Sequence, residues 1–209
     1  MAALTDPFGL FGLITGLLAV VLLIRQSIWT WPIGTLYAVV SVYVFAEARL
    51  YSDLLLHVFY VGLNLYGWWY WLRGGDRDST SELPVTRAGP ALLAAGGALA
   101  VLGTLALGTF MHRATDADFA YADAATTVFS LFAMWLQARK YLDSWVLWFG
   151  IDIAASTLYF LKAAAGDTSL LFYGVLYLVY LGLAVIGYRA WHASLQTAPH
   201  TPARPVDAA

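Results

Sequence analysis

Residues 144–152 read SWVLWFGID, two tryptophans and a carboxylate inside an otherwise apolar run. At helical spacing Trp145, Trp148 and Asp152 fall at i, i+3 and i+7 and share a face, which Ser156 and Tyr159 continue. An ionisable group within an apolar membrane helix costs about 3 kcal/mol or more unless it meets a cavity or a partner. Asp152 therefore reads as a functional residue. The structural alternative is a bond from Asp152 to a neighbouring helix, with the tryptophans lying at the membrane interface. Indole faces attract positive charge, worth about 0.5–2 kcal/mol per contact. Two indoles and an acid suit a flat organic cation better than a sugar or a simple anion.

A second polar stripe occurs in HVFYVGLNLYGWWYW, where His57, Tyr60 and Asn64 repeat the same spacing and Trp68 and Trp71 continue the face. A buried amide needs hydrogen-bond partners, and sugar hydroxyls could supply them. A lone buried histidine is more often a packing residue, so His57 gains weight only from its place beside Asn64. The run YADAATTVFSLFAMWLQ adds Thr126, Thr127 and Ser130. In membrane helices such hydroxyls commonly bond back to their own backbone. Asp116, Asp118 and Asp123 read as solvated or capping acids. There is no GxSxG, HExxH, phosphate loop or histidine pair at metal-ligand spacing, so an enzyme is not expected, nor a metal or cofactor. The absence of cysteine removes disulfides and thiolate chemistry.

The elements that must position these residues are membrane helices. The 209 residues are 61% hydrophobic and only 11% charged, with a mean hydropathy of +0.69, far from the composition of soluble domains. A crossing requires about 20 apolar residues. Seven stretches qualify, at 8–24, 31–47, 52–72, 89–110, 121–138, 144–164 and 168–191. None alternates with period two as a barrel strand would, and ALLAAGGALAVLGTLALGTF can satisfy its backbone in lipid only as a helix. The expected fold is an all-α integral membrane protein of seven transmembrane helices. The first stretch meets no basic residue before Arg25, unlike a signal peptide. Seven crossings put Arg49, Arg113 and Lys162 on one side and the other eight basic residues opposite. The positive-inside rule then places the amino terminus outside and the carboxyl terminus in the cytoplasm. Residues 192–209 read as a loose, disordered cytoplasmic tail. A formal charge of −2 argues against nucleic acid as a partner.

The chain also matches itself. Laying RQSIWTWPIGTLYAVVSVYVF over RKYLDSWVLWFGIDIAASTLYFL puts Trp29 on Trp145, Gly34 on Gly150 and Tyr43 on Tyr159, a shift of 116. YVGLNLYGWWYW then falls on YLGLAVIGYRAW, so Tyr60, Gly67 and Trp71 match Tyr180, Gly187 and Trp191. Four crossings separate equivalent helices, which makes a 3+1+3 parallel internal repeat: 8–72, a linking helix at 89–110, and 121–191. Gly96, Gly97, Ala100, Gly103 and Gly108 give the linking helix a packing role.

Over 8–191 the sequence resembles the PnuC-type vitamin transporters. The resemblance rests on WPIGTLYAVVSVYVFAEARLYSD and YGWWYW in the first half, and in the second on YADAATTVFSLFAMWL, RKYLDSWVLWFGIDI, LYFLK and YLGLAVIGYRAW. It implies the three-plus-one-plus-three arrangement and a WxxW motif met by Trp145 and Trp148. It also implies facilitated diffusion of nicotinamide riboside across a bacterial inner membrane, with retention by a cytoplasmic kinase, and a homotrimer. In this reading Trp145 and Trp148 hold the cationic ring and Asn64, His57 and Asp152 the ribose, with Tyr60, Tyr159, Trp68 and Thr127 beside them. The family pattern has glutamine where His57 and Met134 stand. Thiamine and riboflavin are the alternative cargoes, and a proton-coupled carrier or a non-transporting scaffold the alternative classes.

Overall fold

The computed structural model describes residues 7–47, 51–73, 83–115, 119–166 and 168–197. These form seven helices: α1 (Pro7–Ile24), α2 (Thr30–Glu47), α3 (Tyr51–Arg73), α4 (Pro90–Ala114), α5 (Ala120–Ala138), α6 (Asp143–Ala164) and α7 (Leu171–Thr197), the last preceded by a 3-10 turn at Thr168–Leu170. Helices α4, α6 and α7 are long and apolar enough to cross a membrane, and shorter apolar helices run over Gly9–Ile24 and Thr30–Val44. The bounds lie within a few residues of those expected, except at the carboxyl end. There α7 runs on to Thr197, so the expected loose tail begins later than residue 192. The cause is local: Gln26 Nε2 donates to Ser194 Oγ at 2.7 Å and ties these turns to the end of α1. Residues 198–209 lie outside the described residues, as do Asp116 and Asp118.

Six helices close a ring. α1 packs on α2, α2 on α3, α3 on α5, α5 on α6, α6 on α7, and α7 returns to α1. α4 packs on α5, where a Cβ at Gly96 or Gly108 would overlap the rings of Phe132 or Tyr121. Small residues permit this close approach, as helix association in lipid requires. Only 11% of the α4 span is buried against 39% of the α6 span, so α4 lies at the rim and α6 towards the centre. Leu99, Leu102 and Phe110 of α4 are exposed outward, where apolar side chains suit lipid.

The two triplets α1–α3 and α5–α7 share local geometry, but in a register two residues away from the one the residue match gives. Gln26 and Lys140 both adopt positive φ, 55° and 59°. Each follows a helix end with the same pair of closing bonds, Gln26 N to Leu23 O and Ser27 N to Leu22 O, then Lys140 N to Gln137 O and Tyr141 N to Leu136 O. This is a helix-terminating Schellman arrangement. It equates Gln26 with Lys140, and therefore Trp31, not Trp29, with Trp145. Packing agrees. Trp31 seats against Gly67 and meets Trp71 edge-on at 5.3 Å, while Trp145 seats against Gly187 and meets Trp191 edge-on at 5.6 Å. Trp29 is 64% exposed.

Trp71 and Trp191 also contact each other at 6.2 Å, so Trp31, Trp71, Trp191 and Trp145 form a chain of indoles across both triplets. Trp71 Nε1 donates to Ala138 O and Trp191 Nε1 to Leu23 O, both at 3.1 Å, satisfying carbonyls at the carboxyl ends of α5 and α1. Because Gly187 leaves no room for a methyl group, Gly187→Ala is expected to destabilise the fold by about 1–3 kcal/mol. Gly150→Ala, which points into open space, should cost nothing. Thermal unfolding of the two variants in one detergent measures the difference.

A strap covers this indole floor. Residues 83–89 leave the surface, with Leu83, Val85 and Ala88 buried. Thr86 N donates to Lys140 O at 3.2 Å and Leu142 N to Thr86 O at 2.9 Å, a one-residue parallel bridge with Tyr141. Lys140, 2% exposed, donates through Nζ to Leu83 O at 2.6 Å and stands 4.6 Å from the centre of the Trp71 ring. Asp143 Oδ2 accepts from Ala88 N at 2.7 Å. Val85 thereby joins the cluster of Leu23, Leu142, Trp145, Ala184 and Trp191.

Candidate functional site

Above the indole floor the ring encloses a cavity of about 240 Å³. The first triplet lines it with Trp31, Gly34, Tyr37, Tyr60 and Asn64. The second contributes Gln137, Trp145, Trp148, Asp152, Tyr177 and Tyr180.

The two tryptophans of the α6 stripe differ in setting. Trp145 is 3% exposed and held between Gly187 and Trp191, so it is a fixed part of the wall. Trp148 is half-buried, and its Nε1 donates to Gln137 Oε1 at 2.9 Å. Asp152 is 4% exposed, and no hydrogen bond from a described residue reaches its carboxyl group. The indole nitrogens of Trp31 and Trp145 are buried without an acceptor among the described residues. Asn64 Nδ2 donates to Tyr60 O at 2.8 Å. Its Oδ1 lies where a Cβ on residue 34 would stand, so Gly34 makes the room that the amide fills.

The corrected register makes the cavity chemically one-sided. Trp148 corresponds to Gly34, Asp152 to Ala38, and Gln137 to Leu23. In α7, Ala184 stands where α3 has Asn64. At the first three of these positions one wall therefore carries an indole, an acid and a glutamine where the first triplet has glycine, alanine and leucine, while Trp31, Tyr37, Tyr60 and Asn64 supply the polar groups of the facing wall.

Of the residues singled out from the sequence, the cavity brings together Trp145, Trp148, Asp152, Asn64 and Tyr60. Four stand apart from it. His57 is buried edge-on between Tyr37 and Tyr60, at 5.8 and 5.4 Å. Tyr159 stacks between Tyr173 and Tyr177, 5.5 Å from each. Trp68 is 36% exposed, and Thr127 does not reach the cavity. Ser130 and Thr126 bond back to their own helix, as hydroxyls there commonly do. Asp123 is not merely solvated: it accepts from Lys162 Nζ at 2.8 Å, joining α5 to α6. Sequence reasoning passed over Gln137, although an amide in an apolar helix carries the same signal as Asn64. It also passed over Trp31, Tyr37, Tyr177 and Tyr180.

The family model for nicotinamide mononucleotide transporters matches residues 6–193. The chain belongs to this family. Among PnuC-family relatives, it is 30% identical over 181 residues to the riboflavin/roseoflavin transporter RibM of Streptomyces davaonensis, covering 86% of this chain and 82% of that one. It is 25% identical over 203 residues to the nicotinamide riboside transporter PnuC of Escherichia coli, with the same coverage of 86% and 82%. The crystal structure of a vitamin B3 transporter PnuC superposes with a TM-score of 0.70 at 23% identity, over 89% of this chain and 80% of that one, which shows the fold. The protein is thus a multi-pass membrane transporter of the PnuC family, built to carry a small vitamin.

Proposed function

We propose that the chain imports nicotinamide riboside by facilitated diffusion across the bacterial inner membrane. The amino terminus is outside, and the vitamin is retained once a cytoplasmic kinase phosphorylates it. The observation that carries this reading is Asp152, a buried carboxyl group on the cavity wall with no hydrogen bond from a described residue, one helical turn from Trp148. A pyridinium ring against the indole places its charge where a carboxylate favours it. Asn64 and the cavity tyrosines offer partners for a ribose. The size agrees: at about 240 Å³ the cavity lies below the roughly 300–1,000 Å³ of sites for drug-sized ligands, which suits a single six-membered ring with its sugar.

Riboflavin is the second reading, favoured by the 30% identity to RibM. Its ring system is neutral and larger. The two separate in sealed liposomes holding the purified protein, tested for uptake of nicotinamide riboside, riboflavin and thiamine. Equilibration of the riboside without a pH gradient supports the proposal. Uptake of riboflavin alone, or of the riboside only under a proton gradient, contradicts it. Asp152→Asn should weaken riboside binding at least about tenfold, because it removes one member of a buried charge pair, and leave any riboflavin binding unchanged. Calorimetric titration of both vitamins into the variant measures this.

A further inference from the structure

We infer that Gln137 reads a carbonyl oxygen on the flat ring of the transported vitamin, donating its amide N–H groups to that oxygen while Trp148 holds the ring. This rests on the reading of the cavity as the vitamin site.

Gln137 stands in the last turn of α5, is 7% exposed and lines the cavity. Its orientation follows from chemistry. An indole nitrogen can only donate, so the glutamine must turn its oxygen towards Trp148 Nε1, and the 2.9 Å contact is made in that sense. The NH2 group then points away from Trp148. Among the described residues it finds no acceptor. Unlike the indole nitrogens of Trp31 and Trp145, this NH2 is not closed off by the surrounding protein, so it is a donor reachable from the cavity. A guest in the cavity can supply the missing acceptor.

The position of that acceptor is constrained. Gln137 and Trp148 are joined, so a ring lying against the indole brings its substituents within reach of the amide. The donor exists on one side only, since Leu23 occupies the equivalent place in the first triplet. The matching ligand class is a flat ring bearing a carbonyl: a ring carboxamide, as in nicotinamide, or a cyclic imide, as in a flavin. The rings of thiamine carry no carbonyl, so the same donor selects against that vitamin. Gln137 also braces Trp148, and a purely bracing role must be told apart from a reading role.

The test varies protein and ligand together. Nicotinamide riboside and N-ribosylpyridinium, the same cation without the carboxamide, are titrated into wild type and Gln137→Met, which keeps the side-chain length. Wild type is expected to favour nicotinamide riboside about tenfold, one good hydrogen bond's worth. The variant should lose that factor, so that it binds the two ribosides alike, with nicotinamide riboside weakened about tenfold more than the pyridinium riboside. Equal weakening of both ligands means that Gln137 only braces Trp148, which overturns the inference. So does a wild type that does not distinguish the two ribosides, a result independent of whether the variant folds. If wild type binds riboflavin and neither riboside, the nicotinamide assignment fails while the role of Gln137 is still decided. A tenfold loss of riboflavin in Gln137→Met supports it, and no loss overturns it. Binding of none of the three overturns both readings.

Discussion

Replacing Trp148 by alanine is expected to weaken the binding of nicotinamide riboside about a hundredfold. Stacking of a flat ring on an indole is worth about 1–3 kcal/mol, and a desolvated cation–π contact adds to it. The substitution also frees Gln137, whose oxygen loses its donor. Together these reach about 3 kcal/mol, or roughly two factors of ten. Trp148 is half-buried and packs only on the margin of the buried cluster that holds Trp145 and Trp191, so the fold should survive with a smaller loss of stability than a fully buried indole would cause. Trp145→Ala is different in kind. That ring fills the space beside Gly187, and its loss should lower the unfolding temperature as well as the affinity. Trp29→Ala, at an exposed position, is the control and should change neither. Calorimetric titration and thermal unfolding of the three variants separate wall from site. A loss below threefold in Trp148→Ala would mean that the ring lies elsewhere.

Joining the strap to the ring is expected to stop transport. Residues 83–89 seal one end of the ring, with Val85 against Leu23, Trp145 and Ala184, all of which also line the cavity. A guest can leave through that end only if the strap lifts. Thr86 and Tyr141 face each other in a parallel bridge. Their Cα separation should be close to the strand spacing of about 4.8 Å, within the roughly 4.4–6.8 Å that a disulfide spans. The chain has no cysteine of its own, so Thr86→Cys with Tyr141→Cys introduces the only thiols. Oxidation should reduce uptake into liposomes to less than about a tenth, and a reductant should restore it. Each single variant, treated alike, should transport throughout. Full crosslinking with uptake unchanged would show that the guest passes without movement of the strap.

The helices were legible because a bilayer permits only one way for an apolar stretch to satisfy its backbone, and charges mark the ends. The register of the repeat was not. It is set by Gln26 and Lys140, which share a left-handed backbone but no chemical likeness, whereas the residue match followed Trp29, an exposed indole two positions from the buried one. The stripes on α3 and α6 indicated the right faces but ran longer than the cavity. Tyr159 is seven residues from Asp152, about 10 Å along the helix, and reaches a tyrosine stack beyond the cavity. Trp68 follows Asn64 by four residues, a rotation of about 40° past the inward direction, enough to expose it. Gln137 was hidden by its neighbours: beside Arg139 and Lys140 a glutamine reads as the end of a membrane span. The strap could not be foreseen, since Leu83, Val85 and Ala88 are ordinary loop residues until Lys140 and Asp143 hold them down.

One quantity tests most directly whether a duplicated scaffold holds a single, one-sided vitamin site: the number of nicotinamide riboside molecules bound per chain at saturation. Calorimetric titration of the purified protein should give one, with the heat abolished by Trp148→Ala and kept by Trp29→Ala. Two equivalent riboside molecules per chain, or one whose binding ignores Trp148, would contradict it.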